Sequence, residues 1–218
     1  MQSEDLIQGS QEWLDYRCGR VTASGIVALM AKSSTTGNWL ASRANYMAEK
    51  VAERFTKTPA ASYVNDAMRW GLEKEPDARR VYSLLLDVDV KEVGFVNHPT
   101  IPLSGCSPDG LVSDDGLIEI KCPYTATHIE TLLTQKIDHK YIVQMQWQMA
   151  CADRLWCDYV SFDPRLEPRM QLFVKRVRRD MNMIEDMEKH VIQFLYELDD
   201  VMAKLNTLYP YPEEAVAA

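Results

Sequence analysis

The stretch Ser107-Pro108-Asp109-Gly110-Leu111, followed after a short interval by Ile118-Glu119-Ile120-Lys121-Cys122-Pro123, decides how this chain is read. Between the two segments lies Asp114-Asp115-Gly116, which is turn chemistry. A hairpin that turns there sets Asp109 beside Glu119. Residues two apart on a strand point to the same face, so Glu119 and Lys121 share one face while Ile118, Ile120 and Cys122 take the other. Each part alone is bland, since Asp-Gly is a common turn and Glu-x-Lys on an exposed strand is solvated charge. Set into an apolar strand, the combination is specific, because charged groups buried there without partners are costly.

Two adjacent carboxylates repel each other, and one of them tends to keep a proton. A divalent cation removes that conflict, and magnesium takes oxygen ligands of this kind while retaining several waters. Asp109 and Glu119 are therefore candidate ligands for a pair of Mg2+ ions, for which Mn2+ is expected to substitute. The backbone carbonyl of Ile120 is a further candidate ligand. Ions paired about 3.5–4 Å apart clamp the attacking and leaving oxygens of a phosphoryl displacement. Lys121 then either orients and activates the attacking water or neutralises the developing charge.

Outward from this segment, the pattern predicts a mixed α/β domain, a small mixed central sheet flanked by helices. Ser10 is placed to cap a helix through Tyr16, and Thr22 a second one through Ala31. Ser33 to Asn38 reads as a loop, Trp39 to Arg54 as a helix, and Asn65 to Leu85 as another, in which Pro76 marks either a kink or a new segment. Val88 to Asn97, Gly116 to Ile120, Trp156 to Phe162 and Met170 to Val177 read as strands, with helices over Thr125 to Leu133 and Asp138 to Asp153. From Met181 to Leu205, apolar residues recur at three- and four-residue steps, the mark of an amphipathic helix over about 180–208. With no repeat or linker-like stretch, residues 1–218 are expected to form one domain, its motif-bearing part spanning about 10–180.

Composition restricts the class. Apolar residues make up 46% and charged residues 26% of the 218, enough for a sizeable core and unlike a disordered chain. The five cysteines include no C-x-x-C pair, so reduced buried thiols are expected rather than disulfides or zinc. His98, His128, His139 and His190 have no ligand-like spacing. Trp13, Trp70, Trp147 and Trp156 are expected in the core. The N-terminal MQSEDLIQGSQEW shows no basic region leading into an apolar stretch, and no run is long enough for a membrane span. A cytoplasmic protein is the expectation. The net charge of -8 argues against nucleic acid at first sight, but net charge says little when a few basic residues line a channel. Arg165, Arg169, Lys175, Arg176, Arg178 and Arg179 form a basic run that either contacts phosphates or guards an edge strand against pairing.

With those residues in view, the chain resembles the lambda exonuclease family, among the YqaJ-like viral recombinases and phage alkaline exonucleases of the PD-(D/E)xK nuclease superfamily. Cys-Ser-Pro-Asp-Gly-Leu and Glu-Ile-Lys-Cys-Pro-Tyr-Thr carry the resemblance, with Glu12-Trp13, Arg17, Val21-Thr22-Ala23-Ser24, Trp70-Gly71, Glu75, Asp77-Ala78-Arg79, Tyr141, Gln144-x-Gln146 and Asp163-Pro164-Arg165 in the same order. The resemblance implies a restriction-endonuclease-like core. It also implies metal binding by Asp109 and Glu119, service of the nucleophilic water by Lys121, and Glu75 as an additional acidic residue of the site. Arg17, Ser24, Ser107 and Gln144 match the family's 5′-phosphate pocket. The implied activity is processive 5′→3′ digestion of one strand of duplex DNA, leaving 3′ overhangs for recombination by strand annealing. A homotrimeric ring, DNA ends as substrate, a single-strand annealing protein as partner and a phage or prophage origin are implied likewise. A restriction-type endonuclease and a DNA-end-binding scaffold without cleavage are the rivals.

Overall fold

The computed structural model describes residues 3–60 and 65–210; residues 1, 2, 61–64 and 211–218 of the expected domain lie outside the described residues. The chain runs α1 (Gln11–Arg17), β1 (Val21–Thr22), α2 (Ile26–Leu29), α3 (Ala41–Thr56), α4 (Asp66–Leu86), β2 (Val90–Lys91), β3 (Val96–Asn97), β4 (Ser104–Cys106), β5 (Gly110–Val112), β6 (Gly116–Lys121), α5 (Thr125–Thr134), α6 (His139–Ala152), β7 (Trp156–Phe162), β8 (Leu172–Arg178) and α7 (Met181–Leu208). The strands form two sheets, of order β1-β4-β3 and β2-β5-β6-β7-β8. In the larger one β6 and β7 run parallel while the other pairs are antiparallel. The expected mixed α/β architecture with flanking helices is present, with its strands divided between two sheets.

Helices cover both faces of the larger sheet. On one face, Ala78 and Tyr82 of α4 pack with Ile118, Ile120, Val160 and Phe162. On the other, Met145 and Met149 of α6 pack with Leu117, Cys157, Tyr159 and Phe173. Because side chains alternate along β6, Glu119 and Lys121 emerge on the α6 face. Helix α6 is locked in register there: Trp147 Nε1 donates to the Gly105 carbonyl at 3.2 Å and Gln146 Nε2 to the Arg178 carbonyl at 2.7 Å. Helix α7 buries Ile184, Met187, Val191, Phe194 and Leu198 against the core that surrounds the smaller sheet. Each such side chain contributes about 1.5–3 kcal/mol relative to exposure.

Three expectations are corrected. Val88 to Asn97 is two short strands in different sheets, not one. The N-terminal segment crosses the gap between them, with Gly94 N–H donating to the Glu4 carbonyl at 2.8 Å and Phe95 N–H to that of Ser3 at 2.9 Å. A Cβ at Gly94 would collide with the backbone carbonyl of Leu6, so the crossing requires glycine. Gln8 extends the same strap, its Nε2 donating to Val93 and Pro108 carbonyls at 2.8 and 2.9 Å. Thr22 to Ala31 is not one helix: Thr22 belongs to β1 and makes no side-chain cap, and a 3-10 turn at Ala23–Gly25 leads into the four-residue α2. A Cβ at Gly25 would collide with the Tyr46 ring, so this close approach requires glycine. Trp147 and Trp156 are buried as expected, whereas Trp13 and Trp70 are half-buried and carry the Arg17 and Arg165 guanidiniums on their rings. Pro76 does not end α4, which continues through it to Leu86.

Of the basic run, Lys175, Arg176 and Arg178 lie on the edge strand β8, Arg165 and Arg169 precede it and Arg179 follows it, and most of these charges are matched. Arg176 donates from two nitrogens to buried Asp158, both at 2.8 Å, and stacks on Trp156. Arg165 pairs with Asp163, Arg169 with Glu167 and Arg179 with Asp153, while Lys175 donates to the Gln135 carbonyl. All five cysteines are free. Among the described residues, no helix is long and apolar enough to cross a membrane.

Candidate active site

The β5–β6 hairpin pairs Gly110 with Ile118 and Val112 with Gly116. One step further along that register, Asp109 lies opposite Glu119. Ser113, in the left-handed region at φ 52, starts the turn, and Gly116 closes it where a side chain would run into the Trp156 indole. Asp109 Oδ2 accepts the Ile120 N–H at 2.6 Å, which ties the carboxylate to the strand that carries Glu119. Ile120 buries its side chain on the α4 face.

Glu119 is 1% exposed and receives three side-chain donors. Lys121 Nζ and Gln144 Nε2 (2.7 Å) both reach Oε1, and Gln148 Nε2 reaches Oε2 at 2.6 Å. Lys121 keeps 27% of its side chain exposed and lies 5.1 Å from the centre of the Tyr141 ring, which stacks on Tyr159. Burial alone would push the Lys121 ammonium toward losing its proton; the carboxylates of Glu119 and Asp109 outweigh that and raise its pKa. It is a firmly protonated cation here.

Glu75 comes from α4. Arg79, one turn on, binds it at 2.6 Å, donates to the Asp109 carbonyl at 3.0 Å and reaches Glu92 at 2.9 Å. One guanidinium thus joins α4 to the hairpin. Burial raises the pKa of Glu75, Arg79 opposes the rise, and the charge of Glu119 adds to it. Asp109 is raised well above an ordinary carboxylate by burial first, then by the charges of Glu119 and Glu75. The charges of Glu119 and Glu75 thus bear on buried Asp109, and Lys121 only partly offsets them.

This crowding of charge is the feature that fits a divalent cation. The donors are hard oxygens of the type magnesium takes, and a cation among them would relieve the repulsion on Asp109. In the arrangement at hand each carboxylate instead faces a protein donor, and among the described residues no three acidic, histidine or cysteine side chains form a ready ligand cluster.

The four phosphate-pocket candidates fall into two pairs flanking this centre. Arg17 and Trp13 line a cleft of about 990 Å3 together with Glu75, Arg79 and Asp109. Trp13 Nε1 donates to Ser107 Oγ at 3.0 Å, and the Arg17 guanidinium lies 3.9 Å from the Trp13 ring centre. Arg17 Nε is buried with no acceptor, and burial lowers the pKa of its guanidinium. Ser24 and Gln144 line a second recess with Lys140 and Tyr141, and the Ser24 hydroxyl contacts that of Thr22. Gln144 spends its amide on Glu119, so it links the recess to the carboxylates.

Two residues of this site were not singled out by sequence reasoning. Arg79 had only its place in Asp77-Ala78-Arg79, although its four-residue spacing from Glu75 is an ion-pair signal. Gln148 stands one helical turn from Gln144, among Met145, Trp147 and Met149; that spacing was the available signal. Gln146, in the Gln144-x-Gln146 string, faces away and binds the Arg178 carbonyl and Asp180 N–H.

Residues 12–155 match the model of the YqaJ-like viral recombinase domain. An alkaline exonuclease from Laribacter hongkongensis, LHK-Exo, is 46% identical over 96% of this chain and 100% of its own, with a TM-score of 0.84. LHK-Exo in complex with dAMP matches with the same figures. A phage-related exonuclease from Haemophilus somnus 129PT is 14% identical over 85% of this chain and 96% of its own, with a TM-score of 0.69, a likeness of fold alone. No curated protein matches. On the family match and the full-length likeness, the chain belongs to the YqaJ-like viral recombinase domain family and is a nuclease of that kind.

Proposed function

We propose that this protein is a Mg2+-dependent, processive 5′→3′ exonuclease of double-stranded DNA that leaves 3′ single-stranded overhangs for recombination by strand annealing. The observation that carries the reading is the juxtaposition of Asp109, Glu119 and Lys121 on one hairpin, with Glu75 in charge range, beside a cleft that also holds Arg17. The complex of the 46% identical relative with dAMP, a mononucleotide, agrees with stepwise release of single nucleotides.

In this reading Asp109, Glu119 and the Ile120 carbonyl hold the metal, with Glu75 as an auxiliary acid. When bound, magnesium activates the attacking water and stabilises charge on the phosphoryl oxygens. Lys121 holds that water's oxygen and offsets negative charge at the scissile phosphate. Arg17 and Ser107, tied together through Trp13, receive the 5′-phosphate, with Ser24 and Gln144 on the other side. Arg17 lines the cleft, and a charge-assisted bond from its guanidinium to a phosphate oxygen would be strong. Seating the terminal phosphate in this way sets the polarity of digestion. The 218 residues act as one exonuclease domain, and a ring of three copies around the duplex would keep an acidic protein on DNA. The annealing protein is the partner that would receive the exposed strand.

The test is digestion of a linear duplex labelled separately at the 5′ and 3′ ends, with Mg2+, with EDTA, and with Lys121→Ala. Mg2+-dependent early release of 5′ label, slow loss of 3′ label and an inert variant are the expected results. Internal fragments of defined length would establish an endonuclease instead, and binding without cleavage a scaffold.

A further inference from the structure

We propose that Gln148 is the positioning residue of the site, fixing the rotation of the Glu119 carboxylate; this rests on the reading of Glu119 as a metal ligand. The three donors on Glu119 are not equivalent. Lys121 and Gln144 share Oε1 and stand at the half-exposed edge, where the phosphate oxygens of a substrate would compete for them. Gln148 is fully buried and donates to Oε2 at 2.6 Å. It is the donor that keeps its place when the other two are drawn toward substrate.

The amide can present its N–H to Glu119 only at a cost to itself. Gln148 Oε1 is buried without a hydrogen-bond partner. Rotating the amide to relieve that oxygen would point it at the carboxylate, oxygen against oxygen. The charge of Glu119 therefore dictates the orientation, and the orphaned carbonyl is the trace of that demand. The helix beneath is anchored to the smaller sheet, since the indole of neighbouring Trp147 donates to the Gly105 carbonyl at 3.2 Å. A ligand side chain oriented from a fixed helix keeps its affinity for metal, and loss of such a support typically costs about 10–100-fold in metal affinity or activity.

The deciding experiment compares wild type, Gln148→Met, Glu119→Gln and the double variant. Methionine keeps the length and volume of glutamine and removes the donor. Mn2+ binding is measured by titration calorimetry without DNA, alongside thermal unfolding and kcat and KM on a 5′-phosphorylated duplex. Gln148→Met is expected to bind Mn2+ about 10-fold or more weakly and to lose kcat by a similar factor with KM little changed. In the Glu119→Gln background the same change should add nothing. Equal effects of Gln148→Met in both backgrounds, or wild-type Mn2+ affinity in Gln148→Met where Glu119→Gln has lost it, would overturn the proposal. If Gln148→Met does not fold, Gln148→Asn, which keeps the amide but falls short of Oε2, must give the same loss of Mn2+ binding; wild-type binding by it would refute the role. A wild type that binds no Mn2+, with Glu119→Gln still active, would overturn the metal reading and this assignment with it.

Discussion

The indole N–H of Trp13 donates to the hydroxyl of Ser107 at 3.0 Å, which ties the first helix to the loop that delivers Asp109. Its ring carries Arg17, which lines the cleft beside Glu75 and Asp109. Arg17→Ala should therefore erase the preference for 5′-phosphorylated over 5′-hydroxyl ends. A charge-assisted hydrogen bond is worth about 1.5–3 kcal/mol, so the rate on phosphorylated ends should fall about tenfold or more. Initial rates on the two kinds of end check this; an unchanged ratio would remove Arg17 from the phosphate pocket.

Asp109→Asn separates stability from function. Its carbonyl oxygen still accepts the Ile120 N–H, but the charge pressed by Glu119 and Glu75 is gone. Without metal, the variant should gain about 1 kcal/mol, a Tm rise of about 2–4 °C for a chain of this size, while losing activity. Thermal unfolding in EDTA decides, and a lower Tm would contradict the crowding of charge described above.

Arg79→Ala removes the group that joins Glu75 to the Asp109 backbone. Glu75 is left half-buried beside two other acids, and a loss of about 1–3 kcal/mol is expected in urea unfolding. Arg79→Lys should recover only part of this, because a single ammonium does not replace the guanidinium fork that spans both partners. Full recovery would show that charge alone matters there.

Asp163 sets a pH dependence away from the Asp109–Glu119 pair. Burial by itself would raise its pKa, but hydrogen bonds from Arg165 and Thr125 outweigh burial and hold it at about 2. A carboxylate depressed on folding stabilises the protein above its unfolded pKa, near 3.9, and that contribution fades as pH falls toward about 2. Wild type should exceed Asp163→Asn in Tm at pH 5, and the two should converge toward pH 2. A constant gap across that range would exclude the linkage.

The parts of this protein that were legible beforehand are those determined over short distances. The hairpin follows from the alternation of Ile118, Glu119, Ile120 and Lys121 and the turn at Asp114-Asp115-Gly116. Helix α7 follows from an apolar stripe that its buried residues reproduce. What escaped depends on remote contacts. Strand β4 is three small residues, Ser104, Gly105 and Cys106, without strand-like composition; its place between β1 and β3 comes from partners far along the chain. The split of Val88 to Asn97 depends on the N-terminal strap, and the importance of Gln148 on a strand 29 residues away. A glutamine inside an apolar helix turn looks like any surface amide until its partner is known.

The strap and the last strands also bear on what counts as a unit. The family match covers residues 12–155, and so excludes both the strap and strand β7, which pairs with β6 from Gly116↔Trp156 to Lys121↔Ser161. A fragment cut at those limits would leave the strand that bears Glu119 and Lys121 as a bare edge, open to pairing with other chains. The recognised match is thus shorter than the folded sheet: helices α4 and α6 within it cover the two faces of β6, while the strand that closes the open edge of β6 lies beyond it.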